Sequence, residues 1–153
     1  MTIDIDSIRL TEHFTLRECI FGTDDCLLEE LGAEAEIFKQ MVDDELTQEH
    51  IENLRITCME HENIRAICGN YPAIVLCGFR PLAWDRYRGR TYISAHTEGK
   101  ALDTRHSRMP LENYYHVVDN SYAIGGRAIN KAMNFVHKDW KFSKVQLKRT
   151  WSY

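Results

Sequence analysis

The strongest constraint on the fold is a set of three potential metal ligands that lie far apart along the chain. His96 and Asp103 are seven residues apart within Ser-Ala-His-Thr-Glu-Gly-Lys-Ala-Leu-Asp, and His137 lies in the later string Phe-Val-His-Lys-Asp. Two histidines and one carboxylate are a ligand set for catalytic zinc, which keeps a fourth position open and lowers the pKa of water there to about 7. A fold that uses this triad must bring a loop, the strand after it and a late strand to one point.

The spacing between the first two ligands suits this geometry. Gly99 permits the chain to reverse after His96, and Ala101 leaves room for close backbone approach. His61 and Glu62 begin a helical His-Glu-x-x-His motif, but Arg65 replaces its second histidine, which favours a helix surface. The remaining histidines lack partner spacing and are interpreted as surface or packing residues, although His106 could approach the site along the strand of Asp103. They are His13, His50, His106 and His116.

Length and composition indicate one domain without a membrane span. The chain has 153 residues, of which 44% are hydrophobic and 27% charged, an ordinary balance for a globular domain. No apolar run approaches the roughly 18 residues that span a bilayer. The acidic start, residues 1–6, is unlike a signal peptide, so we expect cytoplasmic synthesis. The five cysteines include no Cys-x-x-Cys pair, and we interpret them as free thiols.

Charge is distributed unevenly along the chain. The net charge is −4, yet residues 24–49 are crowded with acids and the chain from Arg127 onward is rich in lysine and arginine. A basic end can attract nucleic acid or an anionic cell-wall polymer. The alternative, which we favour, is a solvated strand face, so we expect no nucleic-acid partner.

Local patterns predict helices first and strands later, which indicates an α+β fold with a central antiparallel sheet. Thr15 and Glu18 form a capping box before a short helix. A helix over 47–68 carries a broken apolar face and ends at Gly69. We expect a partly helical acidic excursion at 24–45, a loop at 80–95 and a helix at 111–118. The predicted strands are 73–79, 101–104, 122–126, 134–140 and 144–151.

The residues around the triad carry a resemblance to a known family. Residues 94–103 resemble the Ser-x-His-x-x-Gly-x-Ala-x-Asp signature of zinc D-Ala-D-Ala carboxypeptidases and L-Ala-D-Glu endopeptidases, which cleave peptidoglycan peptides and include phage endolysins. Residues 10–18 are similar to the family's "SEHFTLxE" opening, and Gly-Phe-Arg-Pro at 78–81 to its "GYRS" turn. Gly125-Gly126 followed by 135–139 is similar to its closing "GG…FVHVD". The matches cover roughly residues 10–140 in order, with 24–45 as a variable insertion.

The resemblance implies a small zinc fold like that of D,D-peptidases and hedgehog, spanning residues 1–153 as one domain. It implies one zinc per chain, held by His96, Asp103 and His137. It further implies that Arg80 points into the cleft, where an arginine fork suits a substrate carboxylate or an oxyanion. Ser94 would hydrogen-bond near the metal or the substrate. The alternatives are a surface arginine for Arg80 and a plain turn residue for Ser94.

Two departures from the family bear on catalysis. Many relatives carry an acidic residue three positions before the last zinc histidine, where this chain has Asn134, which cannot transfer protons. Asp139 could serve as proton carrier, because alternation places it on the strand face of His137, or it could orient a ligand. After Arg80 the family has Ser and a downstream Asn, where this chain has Pro81 and Asp85.

Two functions of different classes follow. The first is a zinc peptidase acting on peptidoglycan stem peptides, encoded by a phage, and either released to the cell wall or carried in the virion. The second is a catalytically inactive module of the same fold, a virion or baseplate component with other virion proteins as partners.

Overall fold

The structure, a computed structural model, describes residues 3–121, 125–141 and 148–153, with the side chains of Lys148, Arg149 and Ser152 excluded. Helices dominate the first half and strands the second, as the sequence predicts. The helices are α1 (Leu16–Phe21), α2 (Cys26–Leu31), α3 (Ala35–Glu45), α4 (Gln48–Ile67), α5 (Leu82–Tyr87) and α6 (Leu111–Ser121). The strands are β1 (Ala73–Cys77), β2 (Ala101–His106), β3 (Gly125–Asn130), β4 (Phe135–Asp139) and β5 (Lys148–Ser152). Among the described residues, no helix combines the length and the apolarity that crossing a bilayer requires.

The five strands form one mixed sheet in the order β1-β2-β4-β3-β5. The α+β prediction is confirmed, but the expectation of an antiparallel sheet is wrong at one edge, where β5 runs parallel to β3. The turn at 131–134 is short and forces β3 and β4 to be antiparallel. β5 follows β4 in the chain but pairs with β3 on the side away from β4, so it runs antiparallel to β4 and parallel to β3.

Helix α4 packs on one face of the sheet. Thr47 caps its first turn by accepting a hydrogen bond from the backbone N–H of His50. Leu54 and Cys58 of α4 are fully buried in one cluster with Leu102 of β2. Burying a leucine side chain contributes about 1.5–3 kcal/mol. Because side chains alternate along a strand, the neighbours of Leu102 in sequence point to the opposite face.

The acidic excursion is more ordered than the sequence indicates. It forms α2 and α3. Helix α3 contacts α5, which lies within the predicted loop 80–95. The Glu45 carboxylate accepts hydrogen bonds from the backbone N–H groups of Leu82 and Ala83 at 2.6 and 2.8 Å. The ring of Phe38 meets that of Trp84 edge-on at 5.2 Å. The excursion therefore holds the helix that follows Arg80.

Two predictions of surface residues are wrong. His61 is buried, because it lies one turn after Thr57 on the inward face of α4, and its Nδ1 is hydrogen-bonded to the Thr57 carbonyl at 3.0 Å. Arg127 and Lys138, expected on a solvated strand face, are also fully buried. They lie on adjacent interior strands beneath helices α4 and α6. Lys138 Nζ lies 3.5 Å from Glu60 Oε2 of α4.

The remaining predicted elements differ mainly at their ends. The capping box at Thr15 is confirmed, and β2 continues to His106. The five cysteines are free, as expected. Parts of two predicted strands, 122–124 and 144–147, lie outside the described residues.

Candidate metal centre

Three elements bring the predicted ligands together. The pairing of β2 with β4 places Asp103 directly opposite His137, on the sheet face that α4 does not cover. His96 lies in a short 3₁₀ turn, Ala95–Glu98, which precedes β2. Ser94 caps this turn by accepting a hydrogen bond from the backbone N–H of His96 at 3.0 Å. Gly99 ends it with a φ of 70°, so the predicted reversal is confirmed.

The donor atoms of the three residues form a small, buried triangle. His96 Nε2 lies 3.2 Å from His137 Nδ1 and 3.3 Å from Asp103 Oδ1. Asp103 Oδ1 lies 2.8 Å from His137 Nδ1. Donor atoms about 2.0–2.1 Å from a tetrahedral zinc lie roughly 3.3 Å from one another. The group could therefore hold a metal ion with little rearrangement.

Hydrogen bonds fix the orientation of both imidazoles. His96 Nδ1 lies 2.7 Å from the Gly78 carbonyl, to which it donates, so that Nε2 presents a lone pair to the site. His137 Nε2 lies 2.9 Å from Asp139 Oδ2, which leaves Nδ1 of His137 as the donor atom. A ligating histidine commonly donates its other N–H to a carbonyl or carboxylate in this way. The arrangement therefore suits metal binding by both rings.

Asp139 is held in turn by the backbone around it. Its Oδ1 accepts hydrogen bonds from the backbone N–H groups of Gly126 and Lys141, both at 2.9 Å. Both carboxylate oxygens are thus engaged, one with His137 and one with the backbone. The predicted placement of Asp139 on the strand face of His137 is confirmed.

Electrostatics within the triad compensate for its burial. Desolvation disfavours the charged form of His96, but the Asp103 carboxylate outweighs it and raises the pKa of His96 to about 10. Desolvation also opposes ionisation of Asp103, yet His96 and His137 hold the pKa of Asp103 well below its usual range. Without a metal, a proton on His96 therefore balances the carboxylate. A cation that binds here must displace that proton.

Arg80 lines the cleft, but its guanidinium is already paired. Its Nε and one terminal nitrogen bind the fully buried carboxylate of Asp85 at 2.5 and 3.3 Å. The same terminal nitrogen donates to Ser94 Oγ at 3.3 Å. Asp85 also accepts a hydrogen bond from Arg90 at 2.8 Å. Ser94 therefore links the turn of His96 to Arg80, in addition to capping that turn.

The triad lies in an open cleft of about 660 Å³. Sequence reasoning missed much of its wall, which includes exposed apolar residues from the loop after α5, the turn after β3 and the end of the chain. These are Tyr92, Ile93, Met133, Trp151 and Tyr153. Their clustering depends on tertiary contacts. The sequence signal was limited to a high density of tyrosine and tryptophan around Tyr92 and around Trp151.

Two residues that the sequence singled out lie away from the cleft. Asn134 is exposed in the turn before β4, where its φ of 56° is one that asparagine tolerates well, and it does not line the cleft. His106 lies at the far end of β2, opposite Ala73, and does not line the cleft either. The approach considered for His106 is therefore wrong.

Comparison with models of known protein families finds no match for this chain, and a search of curated proteins finds none either.

Proposed function

We propose that this protein is a zinc-dependent peptidase that hydrolyses peptidoglycan stem peptides, of the D-Ala-D-Ala carboxypeptidase or L-Ala-D-Glu endopeptidase type. The observation that carries the proposal is the buried triangle of His96, Asp103 and His137 at the wall of an open cleft. A structural zinc site is normally closed by a fourth protein ligand, whereas three ligands beside a cleft suit a catalytic site. The family resemblance supplies the substrate class.

The proposed roles follow from the contacts of each side chain. Zinc bound by the triad supplies Lewis-acid polarisation of a peptide carbonyl and lowers the pKa of water. Arg80 lies in the cleft with a guanidinium whose orientation is set by Asp85 and Ser94. In this place it stabilises negative charge that develops on the substrate. Asp139 orients His137 through Nε2, which favours the orienting role over proton transfer.

A second candidate is a metal-binding module of the same fold without hydrolytic activity, in a phage virion or baseplate. One observation favours it: both carboxylate oxygens of Asp139, the candidate proton carrier, are engaged with His137 and the backbone. Under either candidate the site of action is phage-associated, at the cell wall or in the virion.

Metal content tests the site itself. After purification in zinc, elemental analysis should find about one zinc per chain, and His96→Ala, Asp103→Ala and His137→Ala should each lose it. The exposed His116, outside the cleft, provides the matched control, because His116→Ala should retain zinc. Protein without metal after this treatment would refute the site.

Digestion of defined muropeptides tests the activity. Mass spectrometry of the products identifies the bond cleaved, and the zinc-free alanine variants report the background. Cleavage that depends on zinc supports the peptidase. Zinc binding without cleavage favours the non-catalytic module.

A further inference from the structure

Much of the exposed apolar surface of the protein lines the cleft that holds the metal centre. Among the described residues, five of the eleven large apolar side chains that are exposed line this cleft. We call this set the apolar rim: Tyr92, Ile93, Met133, Trp151 and Tyr153. Tyr92 is 61% exposed and Tyr153 66%. Contiguous exposed apolar surface on a folded domain usually marks a binding site.

The rim is assembled from three separate segments of the chain. Tyr92 and Ile93 come from the loop after α5, Met133 from the turn between β3 and β4, and the other two from the end of the chain. Lys141 ties the first segment to the sheet by donating to the Ile93 carbonyl at 3.1 Å. Such convergence is not a consequence of local sequence.

The rim is continuous with the metal centre. The indole ring of Trp151 lies 5.1 Å from the imidazole of His137, between ring centroids. Tyr153 meets Phe135 of β4, the strand that carries His137, edge-on with ring centroids 5.7 Å apart. A group that rests on Trp151 is therefore held beside the ligand triangle, which makes the rim part of the same binding surface.

The chemistry of the substrate limits what can cover this surface. The bonds considered above join alanine to alanine or alanine to glutamate, whose side chains are small or charged and match the rim poorly. The sugar rings that carry the peptide present flat C–H faces edged by hydroxyl groups. Tyrosine and tryptophan combine a flat apolar body with a polar edge, and so complement such faces.

We propose that the apolar rim is a saccharide subsite, in which a sugar ring of the glycan lies on Trp151 while the attached peptide crosses the metal triad. The inference rests on the proposed function, and it deepens it: the substrate is a glycan-attached peptide, cut near the sugar, and not a free peptide end. The paired state of Arg80 agrees with this, since a guanidinium already neutralised by Asp85 binds a terminal carboxylate less strongly.

A substrate pair tests the subsite. The same stem peptide is supplied with and without its muramyl sugar, and kcat/KM is measured for both. The parent protein should prefer the sugar-bearing form by about 10-fold to 100-fold, the gain from covering one large aromatic side chain. Trp151→Ala and Met133→Ala should reduce this ratio. Both kcat/KM values are measured on one preparation, so a partial loss of zinc lowers them equally and leaves their ratio unchanged.

The control is Met59→Ala on α4, since Met59 is 59% exposed, like Met133 at 56%, but does not line the cleft. It should keep the parental ratio. Equal kcat/KM values for both substrates overturn the inference while leaving the peptidase proposal intact. Sedimentation tests whether the rim instead holds two copies of the chain together. A dimer that Trp151→Ala dissociates also overturns the inference.

A binding measurement separates this inference from failure of catalysis. The peptide-free disaccharide of the glycan is titrated into the full chain, and amide and indole NMR shifts are followed. Shifts in the parent that Trp151→Ala abolishes support the subsite even in a protein that cleaves nothing. No shift at millimolar disaccharide overturns it.

Discussion

Replacing Asp139 by asparagine should weaken zinc binding and activity together. In the structure, Asp139 Oδ2 receives the Nε2 proton of His137, while Oδ1 accepts from two backbone N–H groups. An asparagine side chain at this position has only one acceptor oxygen, so it can accept a hydrogen bond from His137 or from the backbone N–H groups, but not from both. With its oxygen toward His137, its amide faces the N–H groups of Gly126 and Lys141. With its oxygen toward the backbone, its amide faces Nε2 and drives the imidazole proton onto Nδ1, the ligand atom.

The size of the effect follows from these two orientations. Leaving a buried donor unsatisfied costs about 1–3 kcal/mol, and Asp139 is only 2% exposed. Loss of an orienting partner of a metal-bound histidine typically weakens metal affinity ~10-fold to 100-fold, or about 1.4–2.7 kcal/mol. We expect Asp139→Asn to fall in this range for zinc. Loss of a general base would instead cost ~100-fold to 10,000-fold in rate at unchanged affinity.

The assay measures both quantities on one preparation. Competition with a chromophoric chelator gives zinc affinity, and cleavage of muropeptides at saturating zinc gives the rate. Unfolding in urea with chelator present controls for damage to the fold, and the exposed Asp44→Asn serves as the matched substitution. If zinc affinity is unchanged while the rate falls 100-fold or more, the orienting role is wrong and Asp139 carries protons. If neither changes, Asp139 has no part in the site.

Three further substitutions test the structure around the site. Asp85→Ala, which strands Arg80, should lower the free energy of unfolding in urea by about 3–5 kcal/mol with zinc retained; a loss below 1 kcal/mol contradicts the pairing. Burial lowers the pKa of His61 to about 4, below the ~6.5 of the unfolded chain. The contribution of neutral His61 to the free energy of unfolding is therefore full above pH ~6.5 and is lost as the pH falls toward 4, by at most ~1.4 kcal/mol per pH unit. The urea midpoint of His61→Phe, measured from pH 7 to 5, should therefore depend less on pH than that of the parent protein. Gly125→Ala places a methyl group against the β4 backbone, so calorimetry should show a larger drop in melting temperature than for Gly32→Ala, which shares a positive φ but has open space.

Local signals accounted for most helices and strands. The cap at Thr15 was predicted from residue type, because a side-chain oxygen satisfies the first free backbone donors. The apolar run before Gly78 and the alternation around His137 placed β1 and β4 correctly. Helix α5 was missed, because its residues pattern poorly and α3 holds it from outside, through Glu45 and through the packing of Phe38 on Trp84.

The ligands of the candidate site could be predicted from the sequence, and the burial of other polar residues could not. The spacing of His96 and Asp103 with a glycine between them predicted one ligand in a loop and one on the strand after it, and the later string predicted the third. Burial could not be predicted as well, since His61, Arg127 and Lys138 have polar side chains whose positions depend on which elements cover them.

By itself the sequence determined the ligand types, the turn that presents His96 and the strand faces of Asp103 and His137, because these depend on residue chemistry and on short-range periodicity. Only the tertiary structure decided that strand β5 pairs in parallel beside β3, and that Trp151 reaches His137. It also decided that Arg80 is paired with Asp85 inside the cleft. The physical reason is that contacts between segments far apart in sequence depend on how the elements pack together, and no local pattern specifies that packing.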